Sequence, residues 1–136
     1  MGIGIFEFFR PRRQRERLLR EFLDVSNRMD FARFEDFLSE DFVFSDSGGR
    51  SLEGRDAYIA EEKAFRESAG NPPVVIDSLD HWRGEILLRG HFDTQIEDIA
   101  GENLWRIAFR GGKIFSAEIT RSNQGTSLPA FARRTA

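Results

Sequence analysis

The spacing of apolar residues changes once along the chain, at Pro72-Pro73, and this change constrains the fold more than any other feature. Before it, apolar side chains recur every three or four residues, which predicts helices with one buried face. After it, apolar and polar residues alternate, which predicts strands with one buried face. A chain that is helical first and stranded second is typical of an α+β domain whose helices cover one face of an antiparallel sheet.

Three helices are predicted before Pro72. The first extends from about Gln14 to Met29, and the second begins after the N-cap Asp30 and is ended by Ser39-Glu40-Asp41. The third extends from about Arg55 to Ser68 and is stopped by the Gly and Pro residues that follow. The buried face of this third helix is expected to consist of Ala57, Ile59, Ala60 and Ala64, with Tyr58 and Phe65 beside them.

A short strand, Phe42-Val43-Phe44, is predicted between the second and third helices. Turn-forming residues at each break separate four longer strands, for which a meander is the natural topology. These strands are Val74 to Trp82, Glu85 to Glu97, Asn103 to Arg110 and Lys113 to Arg121. In the second of them, Phe92, Thr94 and Ile96 are expected to share the apolar face, with His91 on the opposite face.

The length of 136 residues predicts one domain with one core. We divide the chain into an apolar and basic arm (residues 1–14), a folded domain (15–121) and a flexible tail (122–136). The arm and the first helix carry six arginines between Arg10 and Arg20. This basic cluster predicts either an anchor for an anionic membrane or RNA, or a solvated helix face with an apolar strap on the body or on a partner subunit.

The composition excludes several classes of function. There is no Cys, so disulfides and thiolate chemistry are excluded and the cytoplasm is the expected location. No apolar run is long enough to span a bilayer, and Met1 to Phe9 lacks the features of a signal peptide, so we expect no targeting segment. A net charge of −3 argues against nucleic acid as a partner. Fourteen Phe against one Tyr predict an apolar, aromatic core or pocket.

Three groups of residues carry a resemblance to a known family. They are Phe37-Leu38-Ser39-Glu40-Asp41-Phe42-Val43-Phe44-Ser45-Asp46, Leu52-Glu53-Gly54-Arg55-Asp56-Ala57 and Trp105-Arg106-Ile107-Ala108-Phe109-Arg110-Gly111-Gly112-Lys113-Ile114. Their order and spacing, over roughly Arg15 to Arg121, resemble the nuclear transport factor 2-like superfamily, in its SnoaL-like polyketide cyclase and ketosteroid isomerase branch. The resemblance implies a cone of three helices on a curved sheet, made of a four-stranded meander plus a short first strand. It also implies an apolar pocket and a homodimer formed through the outer sheet face.

Asp46 is the main catalytic candidate that the resemblance implies, because ketosteroid isomerases place their proton-shuttling carboxylate at the end of this first strand. A carboxylate at the rim of an apolar pocket can move a proton between carbons of a ligand. Asp46 is equally typical of a turn residue that caps the backbone of Ser47-Gly48-Gly49. The positions that would supply oxyanion donors hold Phe22 and Trp105, so isomerisation of 3-ketosteroids is not expected.

Two further residues are weaker catalytic candidates. His81 could pair with Asp46 as an acid and base, and Arg121 could lie at the mouth of the cone and pair with Asp46 or a ligand anion. His91 is expected to face outward, and two isolated histidines do not predict a metal site. The expected ligand-binding residues are Phe22, Phe44, Tyr58, Phe92, Trp105, Ile107, Phe109 and Ile119.

These observations predict a domain that binds a small apolar or aromatic carbonyl compound without a cofactor or metal. The chain is either a cofactor-free isomerase, cyclase or dehydratase with Asp46 as the proton shuttle, or a non-catalytic dimeric module for ligand binding. A third hypothesis is a protein-interaction module that uses the outer sheet face and the basic arm.

Overall fold

The structure, a computed structural model, describes residues 11–121. The predictions for residues 1–10 of the arm and for the tail fall outside the described residues. Helix α1 (Pro11–Asn27) begins at a proline, which suits a first helical turn because its missing N–H needs no partner there. Its inner face buries Leu19, Phe22 and Val25. None of the helices in residues 11–121 is long and apolar enough to cross a membrane.

The predicted second α-helix is wrong in type and length, because Phe31–Asp36 forms a 3-10 helix. Phe31, Phe34 and Phe37 are three residues apart, which matches the three residues per turn of a 3-10 helix better than the 3.6 of an α-helix. Phe34 is fully buried, and its ring contacts that of Phe22 edge-on with centroids 4.9 Å apart. Asp30 occupies the N-cap position but makes no side-chain hydrogen bond there.

The first strand is longer than predicted. Strand β1 (Leu38–Asp46) includes Ser39-Glu40-Asp41, which we expected only to end the second helix, and its pairing is irregular between Leu38 and Val43. A second short strand, β2 (Ser51–Glu53), follows the turn after Asp46 and pairs with β1 in antiparallel fashion. This hairpin was not predicted, since three residues are too few for an alternating pattern.

Helix α2 (Arg55–Ala69) has nearly the predicted bounds but a different buried face. The alanines expected to be buried, Ala57, Ala60 and Ala64, are exposed. The buried residues are Tyr58, Glu62, Phe65 and Arg66. Two large aromatic side chains bury more apolar area than three alanines do, and they turn this face of the helix toward the sheet.

The four longer strands are β3 (Val74–Trp82), β4 (Glu85–Phe92), β5 (Asn103–Arg110) and β6 (Lys113–Arg121). They form the predicted antiparallel meander, within a six-stranded sheet of order β2-β1-β6-β5-β4-β3. The sheet is mixed, because β1 pairs with β6 in parallel. Irregularities interrupt the β1–β6, β3–β4 and β5–β6 pairings, and such bulges bend a sheet.

Strand β4 ends at Phe92, five residues before the predicted end at Glu97. Its neighbour β3 begins at Val74, directly opposite Phe92, so the following residues have no strand to pair with on that side. Residues 93–102 form a loop, in which Ile99 is buried and Ile96, predicted to face inward, is exposed. The main core lies between the inner sheet face and the helices, with α1 and α2 packed over the same concave surface.

Candidate functional site: a cavity between the helices and the sheet

A cavity of about 70 Å³ lies between the two α-helices and the inner face of the sheet. It receives side chains from α1, α2 and five of the six strands, so the whole fold positions it. Its volume is roughly half of the 150 Å³ of an engineered cavity that holds benzene. A ligand with one aromatic ring therefore requires small outward shifts of the wall side chains.

The apolar wall is largely aromatic. Phe44 stacks on Tyr58 with ring centroids 5.3 Å apart, and Phe92 contacts Trp105 edge-on at 6.1 Å. The other apolar side chains of the wall are Leu19, Phe22, Leu23, Phe42, Phe65, Val74, Leu88, Ile107, Ile114, Ala117 and Ile119. Rings that pack against one another in this way are held in place, which gives the cavity a defined shape.

Seven of the eight expected ligand-binding residues lie on this wall, and the eighth, Phe109, does not. Phe109 follows an irregularity in the β5–β6 pairing, between Ala108 and Phe109, and it borders a separate groove at the other end of the sheet with Gln14 and Arg15. The extra residue of this irregularity is on β6, since Ala108 pairs with Ser116 and Phe109 with Ile114, and Phe109 still packs against the core. Alternation therefore gives its face correctly but does not show that the cavity ends before it. Ligand binding by the seven residues stays a prediction.

Asp46 lies at the end of β1 and is buried, with its carboxylate held by the turn that follows. Its Oδ1 accepts hydrogen bonds from the backbone N–H groups of Gly48 (2.9 Å) and Arg50 (3.0 Å). Its Oδ2 accepts a hydrogen bond from Nε of Arg50 at 2.8 Å, and the same contact is an ion pair. The side chain thus caps the turn. It is not part of the cavity wall, although its strand neighbour Ile119 is.

His81 does not approach Asp46. It pairs with Ile86 across β3 and β4, and its Nε2 lies 3.5 Å from Glu16 of α1, while Ile86 is fully buried beside it. His91 lies on the outer sheet face, as expected, with Nδ1 3.0 Å from Oδ2 of Asp77. Neither histidine borders the cavity.

Arg121, at the end of β6, is on the cavity wall and is partly buried. Its Nη2 donates a hydrogen bond to the backbone oxygen of Ala100 at 3.0 Å, which ties β6 to the loop after β4. Burial lowers the pKa of the Arg121 guanidinium from its usual value, and the charge of Asp98 opposes this shift. The guanidinium stays charged under ordinary conditions because its pKa is so high in water.

Sequence reasoning missed a buried polar cluster on the cavity wall, formed by Ser26 of α1 and by Tyr58, Glu62 and Arg66 of α2. All four residues are at least nine-tenths buried and border the cavity. Oε1 of Glu62 accepts hydrogen bonds from Arg66 Nε (2.7 Å) and Ser26 Oγ (3.3 Å), and Oε2 accepts one from the Tyr58 hydroxyl (3.3 Å). The sequence did contain one signal of this cluster. Tyr58, Glu62 and Arg66 are four residues apart, which places them on one face of the helix.

The arginine of this cluster also joins three segments of the chain. Arg66 donates hydrogen bonds to Asn27 at the end of α1 and to Asn71 and Pro72 in the segment after α2. Burial, with the charge of Glu62 adding to it, raises the pKa of Tyr58 well above its usual value, so the phenol stays protonated and can donate. The cluster therefore combines a carboxylate and two hydroxyl groups with one cation, four of whose five N–H donors are used.

Within residues 11–121, no group of three acidic or histidine side chains converges to hold a metal ion.

The model of the SnoaL-like domain family matches residues 19–117, and the chain belongs to this family. Its fold is that of nuclear transport factor 2-like proteins, as three solved structures show. One is an NTF2-like protein of unknown function from Cytophaga hutchinsonii, which is 17% identical, with a TM-score of 0.60 over 75% of this chain and 84% of that chain.

The other two structures are a candidate polyketide cyclase from Sinorhizobium meliloti and a candidate ketosteroid isomerase from Kribbella flavida. The first is 16% identical, with a TM-score of 0.67 over 75% of this chain and 92% of that one. The second is 15% identical, with a TM-score of 0.70 over 85% of this chain and 82% of that one. No curated protein matches the sequence.

Proposed function

We propose that the chain binds a small, mainly apolar ligand in the cavity between the helices and the sheet. The observation that carries this proposal is the aromatic wall, which is apolar except for Arg121 and one cluster of polar groups. Ligand sites in proteins share this composition, with a few placed polar groups among apolar side chains. The fold is compatible with such binding, although a fold alone does not fix a function.

The proposal is tested by filling the cavity. Ala117 lies on the wall, and Ala117→Leu adds apolar volume there. Calorimetric titration with toluene should give measurable binding to the wild type and none to Ala117→Leu. Ala60→Leu is the matched control, because Ala60 is exposed on α2. Binding that is equal in all three proteins would place the toluene elsewhere and contradict the proposal.

Acid–base catalysis with Asp46 as the proton shuttle is the second candidate. It is supported by the burial of Asp46 beside Ile119 of the cavity wall and by the ion pair between its carboxylate and Arg50. The reaction would be proton transfer next to the carbonyl of an apolar ketone, as in an isomerase, cyclase or dehydratase. Arg121 would be the auxiliary group, because it borders the cavity, whereas His81 contacts neither the cavity nor Asp46 and would take no part.

This second candidate predicts that the protein accelerates deuterium exchange next to the carbonyl of cyclohexanone in heavy water. Asp46→Asn should abolish the acceleration while toluene binding remains. Asp41→Asn, which changes an exposed carboxylate on the same strand, is the control. A wild-type exchange rate no higher than that of the buffer would contradict this second candidate.

We also propose that the protein is a cytoplasmic homodimer that associates through the outer sheet face. This face combines the exposed Val75 with partly buried Leu87 and Leu104. Arg106 lies between Glu85 and Glu118 at 3.9 and 3.5 Å, so the surface offers charges of both signs to a second copy. Sedimentation equilibrium should give a dimer for the wild type and a monomer for Arg106→Glu, and a monomeric wild type would contradict this arrangement.

A further inference from the structure

The polar wall of the cavity restricts the chemistry of a ligand more than the apolar wall does. Its members are Ser26, Tyr58, Glu62 and Arg66, all buried and held in one hydrogen-bonded cluster. A ligand that enters the cavity meets these groups in a setting with little water, where each unmatched polar group costs free energy.

Arg66 has little capacity left for a ligand. Its Nε donates to Glu62, one terminal nitrogen donates to Asn71 and Pro72, and the other donates to Asn27. A guanidinium has five N–H donors, and four are used by these contacts. An anionic ligand would therefore compete with the contacts that hold α1, α2 and the following segment together, and it would also meet the charge of Glu62.

Glu62 does have acceptor capacity. An ionised carboxylate offers about four acceptor positions. Among the described residues, Oε1 accepts the short bond from Arg66 and a long one from Ser26, whereas Oε2 accepts a single bond of 3.3 Å from the Tyr58 hydroxyl. The hydroxyl groups of Ser26 and Tyr58 can rotate, so the oxygen of a ligand can also accept a hydrogen bond there.

We propose that the ligand is a neutral alcohol or phenol whose hydroxyl group donates a hydrogen bond to Glu62, while its apolar part occupies the aromatic wall. The ligand must be neutral because Glu62 repels an anion and Arg66 repels a cation. The two charges are close together, with Nε of Arg66 2.7 Å from Oε1 of Glu62. This inference rests on the proposed ligand-binding function and adds the chemical class of the ligand. It makes Glu62 the residue that determines specificity.

The inference is tested by calorimetric titration of the wild type with phenol and toluene, which have similar size and differ in the hydroxyl group. Phenol should bind at least about tenfold more tightly, or about 1.4 kcal/mol, which is near the lower limit of what one hydrogen bond to a charged group contributes. Equal affinities would overturn the inference and leave the proposed function intact. Binding of neither compound would overturn both.

A pair of double variants assigns the preference to Glu62. Glu62→Gln with Arg66→Met replaces the buried ion pair by neutral groups, and phenol should lose its advantage while toluene still binds. Glu118→Gln with Arg106→Met is the matched control on the outer sheet face and should keep the preference. A phenol preference that survives the first double variant would overturn the role of Glu62. If that variant does not fold, titration of the wild type with anisole, in which a methyl group replaces the proton that phenol donates, tests the same hydrogen bond. Anisole should bind no more tightly than toluene, and an anisole affinity equal to that of phenol would overturn the inference.

Discussion

Removing the charge of Glu62 should destabilise the domain strongly, because its partner Arg66 would then be an unpaired charge in the core. The two side chains are 8% and 1% exposed, and Nε of Arg66 is 2.7 Å from Oε1 of Glu62. Breaking a buried pair by removing one partner costs about 3–5 kcal/mol. That is a large share of the roughly 5–15 kcal/mol that stabilises a domain, so Glu62→Gln should be marginally stable.

The double variant Glu62→Gln with Arg66→Met should be less destabilised than the sum of the single variants. Neutral groups of similar size often replace a buried ion pair at little cost in stability. Here each acceptor that loses its hydrogen bond when Arg66 is replaced adds a cost on the order of 1 kcal/mol. Those acceptors are Oδ1 of Asn71 and the backbone oxygen of Pro72, because Oδ1 of Asn27 still accepts a hydrogen bond from the Val74 N–H. We therefore expect a coupling energy of about 2 kcal/mol or more between the two positions.

Urea denaturation, followed by far-UV circular dichroism, measures the free energy of unfolding of the four proteins in this cycle. The control cycle uses Arg106 and Glu118, which are 55% and 41% exposed at 3.5 Å and should couple by less than about 1 kcal/mol. The reasoning is refuted if Glu62→Gln loses less than about 1 kcal/mol or if the two cycles give the same coupling energy.

Three further predictions concern the wall and the strands around the cavity. Tyr58 is the only tyrosine of the chain, so phenolate absorbance reports it alone. Because folding raises the pKa of Tyr58, the protonated phenol contributes fully to the free energy of unfolding below about pH 10, and this contribution is lost as the pH rises further. Ionisation should therefore coincide with alkaline unfolding, and a phenolate signal near pH 10 in folded protein would contradict the burial. Gly90→Ala should lower the free energy of unfolding by about 1–3 kcal/mol, since the added Cβ would lie 2.4 Å from the Val75 carbonyl oxygen, and an unchanged urea midpoint would refute that contact. Asp46→Asn should cost about 1–3 kcal/mol in the same assay through the lost bonds to the turn and to Arg50, and a neutral result would show that the turn does not need the carboxylate.

The strands were predictable because local patterns specify them. Three of the four long strands have the predicted bounds, and the turns at Arg83-Gly84 and Gly111-Gly112 carry the glycines that positive φ angles require. The parallel pairing of β1 with β6 was not predictable in this way, since it joins residues about 70 positions apart with no local signal. The same holds for the end of β4, which depends on where its neighbour begins.

The apolar part of the site and the position of Arg121 were predictable, and the polar cluster around Glu62 was not. Strand alternation places Phe92, Trp105, Ile107 and Ile119 on the cavity wall without any knowledge of tertiary contacts. Hydropathy, in contrast, places alanines inside a helix and charged residues outside. Glu62 and Arg66 reverse this rule because each satisfies the charge of the other, and a single helix pattern does not reveal such a pair.

The central claim is that the cavity between the helices and the sheet is the ligand site, and methyl NMR during a toluene titration tests it most directly. We expect saturable shift changes in the methyl groups of Leu19, Leu88, Ile107 and Ile119, which line the cavity. The methyl groups of Val75, Leu87 and Leu104 on the outer sheet face should not change. Shift changes on the outer face, with the cavity methyl groups unaffected, would contradict the claim.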